Sequence, residues 1–160
     1  ETEKLETNAY LLNKKGLKLG VSRKVRVDYS QFSAHKTLNS IPYVLASKER
    51  SESNFDELIL LNSSHRIVEA TASNIYIVKG NTVLFPPLSE GGVEGVMRRV
   101  LLSKMNQLGI LFEEIELELS DLEEANEVFV SNSVIGINWI SSYKSKRYFK
   151  KVADSLIKSI

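Results

Sequence analysis

Residues 68–100 read V-E-A-T-A-S-N-I-Y-I-V-K-G-N-T-V-L-F-P-P-L-S-E-G-G-V-E-G-V-M-R-R-V. Ile67-Val68 begins a short apolar strand on which Val68 and Ala70 flank Glu69, just before the next strand. Asn74 to Val78 and Thr82 to Phe85 alternate at period two around Gly80-Asn81, which predicts a hairpin. Pro86-Pro87 stops it. Gly91-Gly92-Val93-Glu94-Gly95 then opens onto a long amphipathic helix, and a helix N-terminus binds anions through free backbone N–H groups and its dipole. A carboxylate at one end and an anion-binding loop at the other suit a ligand with a basic ring atom and a phosphate.

Outward from this stretch, the chain has the means for one domain. It has 160 residues, 42% apolar and 26% charged, with net charge +1. That is enough for a core and gives no basic stripe for nucleic acid. The absence of cysteine excludes disulfides, thiolate nucleophiles and Cys-based metal sites, and leaves the redox compartment open. No apolar run reaches the roughly 20 residues of a membrane span. Residues 1–7 lack the basic-then-apolar layout of a signal peptide, so a cytoplasmic protein is expected.

Upstream, residues 1–15 read as a helix or linker end. Leu17, Leu19, Val21, Val25 and Val27 alternate with polar residues, giving a strand pair or one strand bent near Ser22. Leu38, Ile41, Leu45 and Ala46 predict a helix from Lys36 to about Glu49, with Ser33 or Thr37 as cap and Pro42 in its first turns. Glu57 to Asn62 is a short strand. Downstream, the helix is expected from Val93 to Leu108, with Val96, Val100, Leu101, Met105 and Leu108 on its packed face and Gly109 ending it. Phe112 to Leu119 reads as a strand with one wet face. Asp121 to Ala125 reads as one helical turn capped by Asp121 or Ser120, and Glu127 to Val130 as a buried strand. Ile135 to Tyr143 and Tyr148-Phe149 make a hairpin around residues 144–146, and Lys150 to Ile160 a terminal helix. The class is α+β (mixed α/β).

Several residue types in this order carry chemistry. Lys36 precedes an apolar helix after a polar loop. A solvated surface lysine is the plain reading, and a desolvated one suits Schiff-base chemistry. Glu69, if buried, needs a cationic partner such as a protonated pyridine nitrogen. Ser131-Asn132-Ser133 follows a buried strand and is either a turn or a set of donors for an anion. His35 and His65 have no partner at metal-ligand spacing, so no metal site is expected.

Lys36, then E-A-T-A-S-N-I-Y-I-V, P-P-L, G-V-E-G-V-M-R-R-V and A-N-E-V-F-V-S-N-S-V-I-G-I, resemble in order and spacing the C-terminal, larger domain of the fold-type IV pyridoxal-phosphate enzymes, the class IV aminotransferases. The resemblance covers about Lys15 to Ile140. It implies a strand-rich pseudo-barrel with flanking helices and pyridoxal 5'-phosphate as cofactor. It also implies an amino-acid-like substrate and a homodimer. Lys36 matches the lysine that holds the cofactor as a Schiff base and shuttles protons, and Glu69 the carboxylate on the pyridine nitrogen. Gly95, Val96 and Met97 match the helix start that holds the phosphate, Asn132 and Ser133 the second phosphate-side loop, and Asn74 a turn-holding position. Branched-chain aminotransferases carry Tyr five residues after the lysine, where this chain has Ile41. K-T-L-N, which places Asn39 toward substrate, and E-V-F-V-S-N-S-V-I-G resemble 4-amino-4-deoxychorismate lyase, which eliminates pyruvate to leave 4-aminobenzoate for folate. An aminotransferase with the same residues, or a non-catalytic fragment, are the other readings. The family's smaller N-terminal domain has no counterpart here, so the chain is expected to be a fragment or truncation of such an enzyme.

Overall fold

The computed structural model describes residues 9–160. Its strands are β1 (Leu17–Arg26), β2 (Glu57–Leu61), β3 (Ile67–Ala70), β4 (Asn74–Lys79), β5 (Thr82–Phe85), β6 (Leu111–Glu114), β7 (Glu127–Asn132), β8 (Gly136–Tyr143) and β9 (Lys146–Arg147). Its helices are α1 (Ile41–Ser51), α2 (Val96–Leu108), α3 (Leu119–Glu124) and α4 (Lys151–Ile157), with a 3-10 turn at Leu88–Glu90. The strands form a curled sheet in the order β3-β2-β1-β8-β7-β4-β5-β6, with β9 beside β8. β1 runs parallel to both β2 and β8, and β5 parallel to β6. The expected helix or linker end lies, over residues 1–8, outside the described residues, and residues 9–16 are irregular.

The central strands are buried on both faces, because helices cover each side. On β4 and β7 the side chains alternate between two cores, as the strand period requires. Ile75, Ile77, Val128 and Val130 join Leu19, Ile59 and Ile140 under α3. Tyr76, Val78 and Phe129 join Met97, Leu101 and Met105 of α2 and Ala153 and Leu156 of α4. Tyr76 and Phe129 pair across strands and stack at 4.8 Å between centroids.

The hairpin at Gly80 forms as expected, with Lys79 opposite Thr82 and Gly80 at φ 59°. β1 is one strand whose register breaks between Val21 and Arg26. Glu49 of α1 holds the bend, accepting from Ser22 Oγ at 2.6 Å and Arg23 N–H at 2.8 Å.

Other elements depart from expectation. α1 starts at Ile41, five residues after Lys36, because Pro42 fits only the first turn and Ser40 takes the cap position. The apolar positions expected to pack face out: Leu38, in the loop before it, is 99% exposed and Ile41, Val44 and Leu45 are exposed, while Ala46 packs inward. The inward face instead carries Tyr43 and Glu49, which have polar partners in the sheet. α2 buries Met97, Arg98, Leu101 and Met105 rather than Val96, Val100 and Leu108. β6 ends at Glu114, and α3 begins at Leu119 because Glu118 and Asp121 form a capping box. The last hairpin is tighter than expected, with β9 paired to Ser142 and Tyr143 through a turn at Lys144.

Candidate functional site

Lys36, Asn39, Glu69, Gly95, Val96, Met97, Asn132 and Ser133 all line one open cavity of about 660 Å³. Four separate segments supply them: the loop before α1, strand β3, the α2 N-terminus and the end of β7.

Glu69 lies within β3, opposite Leu60, between Val68 and Ala70, and is 3% exposed. The Tyr43 hydroxyl donates to its Oε1 at 2.6 Å. Val93 N–H lies 3.3 Å from both oxygens, and Asn74 Nδ2 donates to Oε2 at 3.4 Å. Burial pushes the Glu69 carboxyl up to about 7; the Tyr43 and Val93 hydrogen bonds and the charges of Lys36 and Arg98 oppose it. A buried carboxylate with an acceptor position facing a cavity is built to take a proton-bearing partner.

The delayed start of α2 follows from the same groups. Val93 N–H goes to Glu69, Val93 C=O accepts from Asn74 Nδ2 at 2.8 Å, and Glu94 N–H reaches Ala34 C=O at 2.9 Å. With these bonds directed into the site, residues 93–95 cannot join the helix, and Gly95 stays extended at φ −65°, ψ 142°. The helical ladder opens at Arg99 N–H to Gly95 C=O. The amides of Val96, Met97 and Arg98 therefore have no intrahelical acceptor, and Gly95 brings no side chain to cap them. Val96 and Met97 line the cavity, and a terminus of this kind has the donors an anion needs.

Lys36 lies in the loop before α1, not at a helix start, and is exposed to the cavity rather than desolvated. The loop folds back through Ser33 N–H to Ser30 C=O and His35 N–H to Phe32 C=O. The Glu94–Ala34 bond fastens it to the α2 loop, and the Lys36 charge acts on Glu69. Asn39 is exposed, its N–H turned to Thr37 Oγ1. Asn132 uses its side chain on structure: Nδ2 donates to Ala72 C=O and Ser73 Oγ at 3.0 Å, and Oδ1 accepts from Val134 and Ile135 N–H at 2.9 Å. That network presents Ser133 at the rim.

Two site residues are absent from the sequence reading. Tyr43 is one. The other is Arg98, 5% exposed, which donates to Glu114 Oε1 at 3.0 Å and Pro86 C=O at 3.3 Å and stacks on Phe85 at 5.1 Å. Arg98 does not line the cavity, but its charge, paired with Glu114, acts on Glu69. The Arg98-Arg99 pair at the helix start was the available signal for it; the spacing of α1 offers none for Tyr43.

The family sequence model described as amino-transferase class IV matches residues 2–143. An aminodeoxychorismate lyase of Vibrio harveyi is 33% identical over 127 residues, covering 79% of this chain and 47% of that protein. A putative branched-chain-amino-acid aminotransferase of Methanocaldococcus jannaschii is 34% identical over 104 residues, covering 65% of this chain and 36% of that protein. Among solved structures, a branched-chain aminotransferase from Thermoproteus uzoniensis superimposes with TM-score 0.86 at 25% identity, covering 92% of this chain and 51% of that one. A 4-amino-4-deoxychorismate lyase from Pseudomonas aeruginosa superimposes with TM-score 0.81 at 29% identity, covering 91% and 56%. The expected strand-rich fold is thus the fold of these proteins. The chain spans about a third to a half of the length of the curated relatives it matches.

Proposed function

Because the chain belongs to the class IV amino-transferases, a family of pyridoxal-phosphate-dependent enzymes, we propose that its cavity holds pyridoxal 5'-phosphate by three grips and serves a lyase of the aminodeoxychorismate type. One observation carries the reading: an amine, a buried carboxylate and a set of uncapped helix amides, from distant parts of the chain, line one cavity. This donor set fits the cofactor's aldehyde, ring nitrogen and phosphate. Lys36 Nζ would hold the aldehyde carbon and move the proton at the substrate's α-carbon. Glu69 would hold a proton on the ring nitrogen. The N–H groups of Val96 and Met97, with Ser133 at the rim, would hold the phosphate. When bound, pyridoxal phosphate supplies an electron sink for negative charge at that α-carbon.

The lyase reading is supported by K-T-L-N at residues 36–39 and by Ile41 where branched-chain aminotransferases resemble one another in carrying Tyr. The Vibrio harveyi relative agrees with it. The second reading, an amino-acid aminotransferase, is favoured by the Methanocaldococcus jannaschii relative. Formation of 4-aminobenzoate from 4-amino-4-deoxychorismate, without amino exchange between an amino acid and 2-oxoglutarate, is the expected outcome; exchange alone would replace the first reading by the second. A homodimer in a cytoplasmic setting belongs to the same proposal.

The covalent grip has its own test. After incubation with pyridoxal phosphate and borohydride reduction, peptide mapping should find the label on Lys36, and Lys36→Ala should abolish it together with the visible absorbance band. Labelling spread over surface lysines and unchanged in Lys36→Ala would remove Lys36 from the site.

A further inference from the structure

We propose that Tyr43 is a positioning residue for the ring-nitrogen grip: its hydroxyl fixes the Glu69 carboxylate in one orientation and favours its anionic form. The inference rests on the reading of Glu69 as ring partner given above. It starts from the unequal hydrogen bonds around the carboxylate. Tyr43 donates to Oε1 at 2.6 Å, whereas the contacts from Val93 and Asn74 measure 3.3 and 3.4 Å. A carboxylate oxygen offers about two acceptor positions. Each oxygen has two contacts, the single Val93 N–H being shared between them, and only Oε1 has a short one. Oε2 has only long contacts, at 3.3 and 3.4 Å, and is therefore the more weakly held oxygen, the one a ring N–H would engage.

Every group facing Glu69 bears on its charge. Tyr43 comes from α1, Lys36 from the preceding loop, Arg98 from α2, Asn74 from β4 and Val93 N–H from the Gly-rich loop. Lys36 is exposed, so solvent screens it. Arg98 is occupied by Glu114 and Pro86. Tyr43 makes the short side-chain bond, and among the influences that oppose the cost of burial it is the largest. Its own phenol is pushed well up, by burial first and then by the Glu69 charge, so it stays a donor at any working pH. Placement adds a second consequence. Tyr43 stands seven residues after Lys36 on one continuous segment. The helix that follows the covalent grip thus returns a hydroxyl to the ring grip, and the two are registered against each other.

The experiment reads Glu69 directly, without cofactor and without turnover. Protein labelled with ¹³C at the Glu carboxyl carbon is titrated by NMR, and Glu69→Gln assigns the Glu69 signal. The wild-type signal should titrate near 7. In Tyr43→Phe it should move up by roughly one to two pH units, the scale of a hydrogen bond to a charged group. Incorporating 3-fluorotyrosine at position 43, a stronger donor of nearly the same shape, should move it down. An unmoved titration in both well-folded variants overturns the proposal. A separate arm uses pyridoxamine 5'-phosphate labelled with ¹⁵N at the ring nitrogen. A ring signal that ignores Glu69→Gln would overturn the ring-partner reading, and the proposal with it, even where the carboxyl titration shifts. The two failures are therefore distinguishable.

Discussion

Glu69→Gln should lower turnover in the proposed reaction by roughly 10²–10³-fold, the scale of removing one preorganised charge partner. It should also flatten the pH dependence of stability of the cofactor-free protein. The sign follows from the raised carboxyl. The folded protein titrates at about 7 and the unfolded chain near 4.5. Between those values the folded state binds more protons, so stability falls as pH rises. The contribution is fully present below the ordinary value and is lost as pH rises through about 7. A shift of this size corresponds to about 3 kcal/mol. Chemical denaturation at pH 5 and pH 8 measures it: the wild-type protein should lose stability across that interval relative to Glu69→Gln. Parallel pH profiles would mean that Glu69 is not a buried titrating group, and unchanged turnover would remove it from the mechanism.

The second large effect is expected at Gly95. Its backbone, at φ −65° and ψ 142°, is open to any residue, so the need for glycine is one of space. A Cβ there would lie 2.2 Å from Asn74 Oδ1, far inside contact distance. Asn74 would have to leave, taking with it the bond to Val93 C=O and the contact to Glu69 Oε2. Losing one such buried partner costs about 1–3 kcal/mol. Gly95→Ala should therefore weaken binding of pyridoxamine 5'-phosphate by roughly tenfold to a hundredfold, read by equilibrium dialysis so that the covalent grip plays no part. Gly80, with open space around it and φ 59°, is a useful contrast. Alanine there strains a hairpin but should leave ligand affinity alone. Equal affinity in Gly95→Ala and the parent would show that the α2 loop does not depend on Asn74.

The elements legible in the sequence are those whose signal is local. The β4–β5 hairpin shows in its alternation around Gly80-Asn81, and α2 shows in its length and its terminal glycine. The site residues are legible through the order of several short motifs, which the structure brings to one cavity. What stayed hidden depends on partners far away in the chain. Tyr43 meets a carboxylate 26 residues on, and Arg98 a carboxylate 16 residues on. Helical periodicity marks Leu38, Ile41 and Leu45 as an inner face, yet the structure turns them outward so that Tyr43 and Glu49 can face the sheet. The same rule misplaces the start of α2, because three residues with helical spacing direct their backbone groups elsewhere.

That diversion sets a dimension. Residues 93–95 are tied at once to Glu69, Asn74 and Ala34, and the first free helix amide follows directly. Gly95 N–H also bonds back to Val93 C=O at 2.9 Å, so this tripeptide is a compact turn that fixes the Glu69 carboxylate relative to the start of α2. The spacing of the two is thus held by bonds inside the site, from Glu69, Asn74 and Ala34, and not by the surrounding surface.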